Sequence, residues 1–189
     1  MTPKLIIFSA PSGSGKTTIV KEVLKTDIPF AFSVSATSRA PRPGEIDGKD
    51  YHFLSVEEFK SAIARGDFLE WEEVYENQFY GTLKSDVEAK RKQGFNVLFD
   101  VDVVGGLNIK KHYGDEALAI FIQPPSIDEL KKRLKKRGTE SPESFDKRIA
   151  KAEKEMRYAK DFDLVIVNDD LQKAVDETIE NIRQFLEKK

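Results

Sequence analysis

The sequence predicts a doubly wound α/β fold, a parallel sheet with helices on both faces. Three observations carry that prediction. The segments LIIF, VLFDV, LAIFI and LVIV are nearly continuous apolar runs, as strands buried on both faces require. Helical patterns with recognisable caps fall between the runs. A Gly/Ser-rich bend joins the first run to a helix-like stretch.

In chain order, strands are expected at 4–9, 30–37, 51–54, 68–75, 96–101, 117–123 and 163–167. The middle ones alternate polar and apolar side chains, which predicts antiparallel, half-exposed strands. The helix SVEEFKSAIARG has Ser55 as N-cap, Glu58 in the capping-box position and Gly66 as its stop. SIDELKKRLKKRG repeats that design with Ser126, Glu129 and Gly138. SPESFDKRIAKAEKEMRYAK starts on Ser141, with Pro142 in the first turn. The last helix, about 171–187, is expected to bury Leu171, Val175, Ile179, Ile182 and Leu186. Phe53, Phe59, Phe95, Phe99 and Phe121 read most simply as core. His52 and His112 attract no role, and His52 is expected to face away from Tyr51.

Residues 33–94 read as an insertion into a core made of about 1–32, 95–136 and 158–189. The charged helices over about 137–157 read as a second, smaller insertion. The 189 residues suit one domain with a sizeable core. A net charge of −2 provides no global field for nucleic acid or an anionic membrane, so neither is expected as a partner. The absence of cysteine excludes disulfide and thiolate chemistry and makes a cytoplasmic location the natural expectation. No apolar run reaches the roughly 20 residues that cross a bilayer. The bend after Ser9 interrupts the first run too early for a signal peptide.

That bend, APSGSGKTT, resembles the P-loop pattern G-x-x-x-x-G-K-S/T, with Ala10 in place of its first glycine. Gly13 and Gly15 can adopt positive φ and expose successive N–H groups. Those groups and the following helix N-terminus make an anion cradle spanning Ala10, Pro11, Ser12, Gly13, Ser14, Gly15, Lys16, Thr17 and Thr18. Lys16 supplies a mobile charge for the outer phosphates of a nucleoside triphosphate, and the Thr17 hydroxyl is a candidate ligand for Mg²⁺; an ordinary Gly/Ser turn before a helix is the alternative.

The acceptor is the second question. Arg39 and Arg42 lie in a segment whose two prolines and Gly44 disfavour helix and where two-pronged phosphate contacts are possible, with Tyr51 close behind. Solvated surface arginines are the alternative. Glu70 lies between Leu69 and Trp71, and a carboxylate among apolar side chains needs a partner; an outward-facing strand carboxylate is the alternative. Asp100 and Asp102 close a buried strand, at the end that faces the ligand crevice of such a sheet. A helix N-cap would account for Asp102 but poorly for Asp100.

Together these segments resemble the guanylate kinase family. The resemblance runs through SAPSGSGKTT, SVSATSRAPRPGEIDGKDYHF, FLEWEEVYENQFYGT, LFDVDVVG and RGTESPESFDKRIAKA, in family order and over essentially the whole chain. It implies a P-loop kinase core with a GMP-binding insertion and a small helical lid, and phosphorylation of GMP, with dGMP as a second substrate, by ATP with Mg²⁺. It implies that Ser35, Arg39, Arg42, Tyr51 and Tyr80 hold the GMP phosphate and that Glu70, Thr82 and Asp100 read guanine, with Asp102 beside them. Arg133, Arg137 and Arg148 are implied at the ATP phosphates and the transferred group, and Asn168 at the adenine, where a simple turn is the alternative. Elementary chemistry agrees, because the N1–H and N2–H₂ edge of guanine matches carboxylate acceptors and adenine does not.

Three other functions are weighed. A P-loop kinase for another phosphorylated acceptor has no use for a guanine-reading carboxylate set. A non-catalytic binding module has no need for intact Gly15, Lys16 and Thr17. A GTPase switch would need a motif such as N-K-x-D, which the sequence lacks. Oligomeric state is not legible.

Overall fold

The computed structural model describes residues 2–137 and 142–188. The chain runs β1 (Leu5–Ser9), α1 (Lys16–Val23), β2 (Phe30–Phe32), β3 (Ala36–Thr37), β4 (His52–Phe53), α2 (Val56–Arg65), β5 (Phe68–Tyr75), β6 (Gln78–Leu83) and α3 (Lys84–Lys92). It continues with β7 (Asn96–Asp100), α4 (Val103–Tyr113), β8 (Ala117–Gln123), α5 (Ile127–Arg137), α6 (Pro142–Met156), β9 (Leu164–Val167) and α7 (Leu171–Glu187).

Five strands form one parallel sheet in the order β2-β7-β1-β8-β9. Its central strand, β1, is buried along its whole length. The period of two along β1 divides the core between the two faces. Ile6 and Phe8 pack with Ile19, Val20, Val175 and Ile182 on the side of α1 and α7. Leu5 and Ile7 pack with Phe99, Val103, Ile109 and Phe121 on the side of α4. Each such side chain contributes about 1.5–3 kcal/mol on burial, so both helical layers are held by apolar packing.

Four strands form a second sheet, β4-β3-β6-β5. It rests on α2 through stacked rings: Phe59 lies 4.3 Å from Phe68 and 5.3 Å from Phe79, between centroids. The expected capping box of α2 is present, and Gly66 ends the helix in the left-handed region. A fourth small core joins α5 and α6 through Leu130, Leu134, Ile149 and Ala152. Among the described residues, no helix is long and apolar enough to cross a membrane.

Several expectations need correction. The strand expected over 30–37 is two strands in two sheets: Ser33 N–H makes the last bond to Leu98 C=O, and the chain then leaves for the second sheet. The middle strands are not all antiparallel, since β3 and β4 pair parallel across a long connection. Phe95 is 37% exposed because it precedes β7 in the turn after Gly94. Leu171 is 44% exposed at the first position of α7, whereas Val175 and Ile182 are buried as expected. Gly138 and Ser141 lie outside the described residues.

Candidate active site

β1 ends at Ser9, and the chain bends at once into α1. The bend takes Gly13 and Gly15 to φ 92 and 95, where a Cβ is strained. Asn77 is the one non-glycine with positive φ among the described residues, so alanine at position 10 meets no such strain. Gly15 is fixed for a second reason. A Cβ there would lie 2.2 Å from Asn168 Nδ2. Asn168, just past β9, is buried, and its amide donates to Ser14 C=O at 2.7 Å. The family resemblance implies an adenine contact for Asn168; in the structure its side chain props the phosphate loop from beneath. Arg133 of α5 is tied to the same prop, donating to Asn168 C=O at 3.0 Å and to Glu129 at 3.3 Å.

Because β1 and β7 run parallel with Phe8 level with Asp100, the loop emerges beside the end of β7. Lys16 bridges the two. Its ammonium forms an ion pair with the Asp100 carboxylate and donates to Val101 C=O at 3.1 Å. Residues 10–18 line a cleft of about 490 Å³, with Asp100, Asp102, Arg148, Lys151 and Glu155 on its other walls. Arg148, Lys151 and Glu155 share one face of α6, so this helix presents two cations and a carboxylate to the loop. Burial raises the Glu155 carboxyl above the ordinary range, against the opposing pull of Lys151. Arg137 closes α5, and its side chain lies outside the described residues. Among the described residues, no three His, Asp or Glu side chains gather as a metal cage. The exposed Thr17 and the Asp100 carboxylate do share the cleft.

A second cleft, of about 340 Å³, continues the first through Asp102, Lys151 and Glu155. Glu70 forms its inner wall. Register sets Glu70 of β5 opposite Thr82 of β6, on one face of the sheet. The buried Thr82 hydroxyl donates to Glu70 Oε1 at 2.5 Å. Glu70 Oε2 lies against the first turn of α4, where a Cβ on Gly105 would come within 3.1 Å. Burial pushes the Glu70 carboxyl above its ordinary value; the Thr82 bond opposes this and the Asp102 charge adds to it.

Asp102 is the N-cap of α4, its Oδ1 accepting from Gly105 N–H at 2.8 Å. Asp102 therefore serves as the cap and also lines both clefts. The family resemblance set Asp100 with Glu70 and Thr82. The structure brings Asp102 to Glu70 and pairs Asp100 with Lys16, because β7 ends at Asp100 and the chain has already turned to cap α4 at Asp102.

The insertion gathers the remaining candidates. Arg39 Nε donates to Tyr80 Oη at 3.2 Å, and its guanidinium lies 4.9 Å from the Tyr51 ring centroid. Tyr51 and Tyr80 meet edge to face at 6.0 Å. Ser35 precedes β3, and its C=O accepts from His52 N–H at 2.9 Å. Arg42 is exposed on the neighbouring turn. His52 faces Asp86 at 3.3 Å. Sequence reasoning missed Glu45, which grips Arg39 at 2.7 Å through both oxygens. It also missed Lys151 and Glu155, although their spacing from Arg148 on a helix would have placed all three together.

A family model described as guanylate kinase matches residues 2–189. A guanylate kinase from Bacteroides thetaiotaomicron is 59% identical over 188 residues, covering 100% of this chain and 92% of that protein. One from Salinibacter ruber is 56% identical, covering 96% of each. The crystal structure of guanylate kinase from Anaplasma phagocytophilum superposes with a TM-score of 0.71 at 28% identity, covering 99% of this chain and 88% of that one.

Proposed function

Because the chain belongs to the guanylate kinase family, we infer that it transfers the γ-phosphoryl group of ATP to GMP, giving ADP and GDP. The observation that carries the residue-level reading is the pairing of half-buried Glu70 with buried Thr82, set beside Asp102 in a cleft continuous with the phosphate loop.

Glu70 and Asp102 accept from guanine N1–H and N2–H₂, and Thr82 holds Glu70 in place. Adenine presents a lone pair at its N1 and would leave a buried carboxylate facing it, a mismatch costing about 1–3 kcal/mol or more. Arg39, Arg42, Tyr51, Tyr80 and Ser35 hold the GMP phosphate. Residues 10–18 hold the ATP phosphates. A GMP phosphate oxygen attacks the γ-phosphorus in line as the bond to ADP breaks, so no general base is needed. Lys16 starts on Asp100 and moves to the phosphates, where Arg133, Arg137 and Arg148 share the charge. Asn168 acts through the loop it props. Mg²⁺ carried by ATP would find the Thr17 hydroxyl and the Asp100 carboxylate in one cleft, and when bound it neutralises phosphate charge. The same contacts admit dGMP, since none of them involves the 2′-hydroxyl. The setting is cytoplasmic purine metabolism and GMP recycling.

Chromatography of a mixture of protein, Mg²⁺, ATP and GMP tests this. ADP and GDP should appear in equal amounts. ADP without GDP would mean that water is the acceptor and would refute the assignment.

A further inference from the structure

Glu45 accepts more hydrogen bonds than an ordinary surface carboxylate. Arg42, Pro43, Gly44 and Glu45 form a tight turn, with Glu45 N–H bonded to Arg42 C=O at 3.0 Å and Gly44 at φ 89. A type II turn requires positive φ at its third position, which Gly44 supplies, and favours proline at its second. The turn aims the Glu45 side chain back at its own start. Oε2 accepts from Arg42 N–H at 2.7 Å and from Arg39 Nη1 at 2.7 Å, and Oε1 accepts from Arg39 Nη2 at 2.7 Å. These bonds hold the Glu45 carboxyl down to about 2, so it is ionised throughout the working range.

We propose that Glu45 is the positioning residue of the acceptor-phosphate clamp: it locks the Arg39 guanidinium and the Arg42 backbone into one unit before GMP arrives. The inference rests on the function argued above. A guanidinium has five N–H groups. On Arg39, two go to Glu45, one to Ala40 C=O at 3.0 Å and one to Tyr80. Only one remains for a ligand. Arg39 therefore cannot present a two-pronged face to phosphate while Glu45 holds it. It fixes Tyr80 and Tyr51 and adds charge, and the exposed Arg42 supplies the fork.

The test is steady-state kinetics on Glu45→Gln, Arg39→Ala and the double variant. Glu45→Gln keeps the shape and removes the charge. It should raise KM for GMP about tenfold, the scale of a slightly misaimed contact, with kcat changed less and KM for ATP unchanged. In the double variant, Glu45→Gln should add little to Arg39→Ala, because the glutamine oxygen can still accept from Arg42 N–H and the lost contacts are those to Arg39. Glu45→Asp should also leave KM for GMP raised, since the shorter arm cannot reach all three donors. An unchanged or lowered KM for GMP in Glu45→Gln would make Glu45 a bystander or a competitor of phosphate and overturn the proposal. So would fully multiplicative effects in the double variant, or full recovery by aspartate. Failure of the wild-type protein to make GDP would instead refute the kinase reading.

Discussion

Glu70→Gln separates recognition from stability. In the folded protein the Glu70 carboxylate is largely desolvated, receives the Thr82 hydroxyl bond, and feels the charges of Asp102 and Glu72. Glutamine can keep the bond from Thr82 on its oxygen. Its NH₂ then stands where Oε2 was, so a donor meets the guanine donors. A hydrogen bond to a charged group contributes about 1.5–3 kcal/mol, which corresponds to roughly 10- to 150-fold weaker GMP binding. ATP binds across the cleft and should be unaffected. Stability should move the other way. A carboxyl whose pKa is raised on folding contributes stability present in full below its ordinary value of 4.5 and lost as pH rises through the raised value. A neutral amide does not undergo that loss, so the Gln variant should melt no lower than wild type. Calorimetric titration with each nucleotide and thermal melting provide the readouts. Equal losses for GMP and ATP, or a clear drop in Tm, would refute the reasoning and make Glu70 a structural residue.

The other predictions follow the same geometry. Lys16→Ala should leave the fold intact and lower kcat by about 10²–10³, the usual loss when one preorganised charge is removed; near-normal turnover would make Lys16 a partner of Asp100 alone. Asn168→Ala should orphan Ser14 C=O, cost about 1–3 kcal/mol in thermal or denaturant melts and raise KM for ATP; an unchanged melt with a relaxed preference for ATP over GTP would return Asn168 to the adenine. Guanosine affinity should fall on acidification, starting above the range of an ordinary carboxylate, because Glu70 must be ionised to accept from the base. Guanosine avoids the phosphate titration near pH 6, and in an NMR titration the Gln variant should lose the part of the fall that begins above the ordinary carboxylate range.

The parallel core was legible because buried strands must be apolar on both faces, as β1, β7 and β8 are. The phosphate loop was legible because few backbones other than Gly13 and Gly15 can make that bend before a helix. Glu70 stood out as a charge among apolar neighbours. Other features depended on tertiary choices that local pattern does not encode. The 30–37 run has strand character throughout, and nothing in it says that the chain changes sheets after Ser33. Asp100 and Asp102 share a face in an extended strand, yet the strand ends at Asp100 and Asp102 caps a helix, so they meet different partners. Glu45 lies in a polar Pro-Gly turn, and its arginine partner is set by the turn's closure, which local pattern does not encode. Asn168 read as an adenine contact or a simple turn, and its bond to Ser14 C=O depends on tertiary packing that local pattern does not encode.

The central claim is that the Glu70, Thr82 and Asp102 cluster selects guanine, and the ratio of kcat/KM for GMP to that for AMP, measured with ATP and Mg²⁺ on the wild-type protein, tests it most directly. Two mismatched contacts, to Glu70 and Asp102, at about 1–3 kcal/mol each once the base covers them, predict a preference for GMP of roughly 10²–10⁴. A ratio near one would contradict the account, since a carboxylate pair reading N1–H and N2–H₂ cannot accept both bases equally.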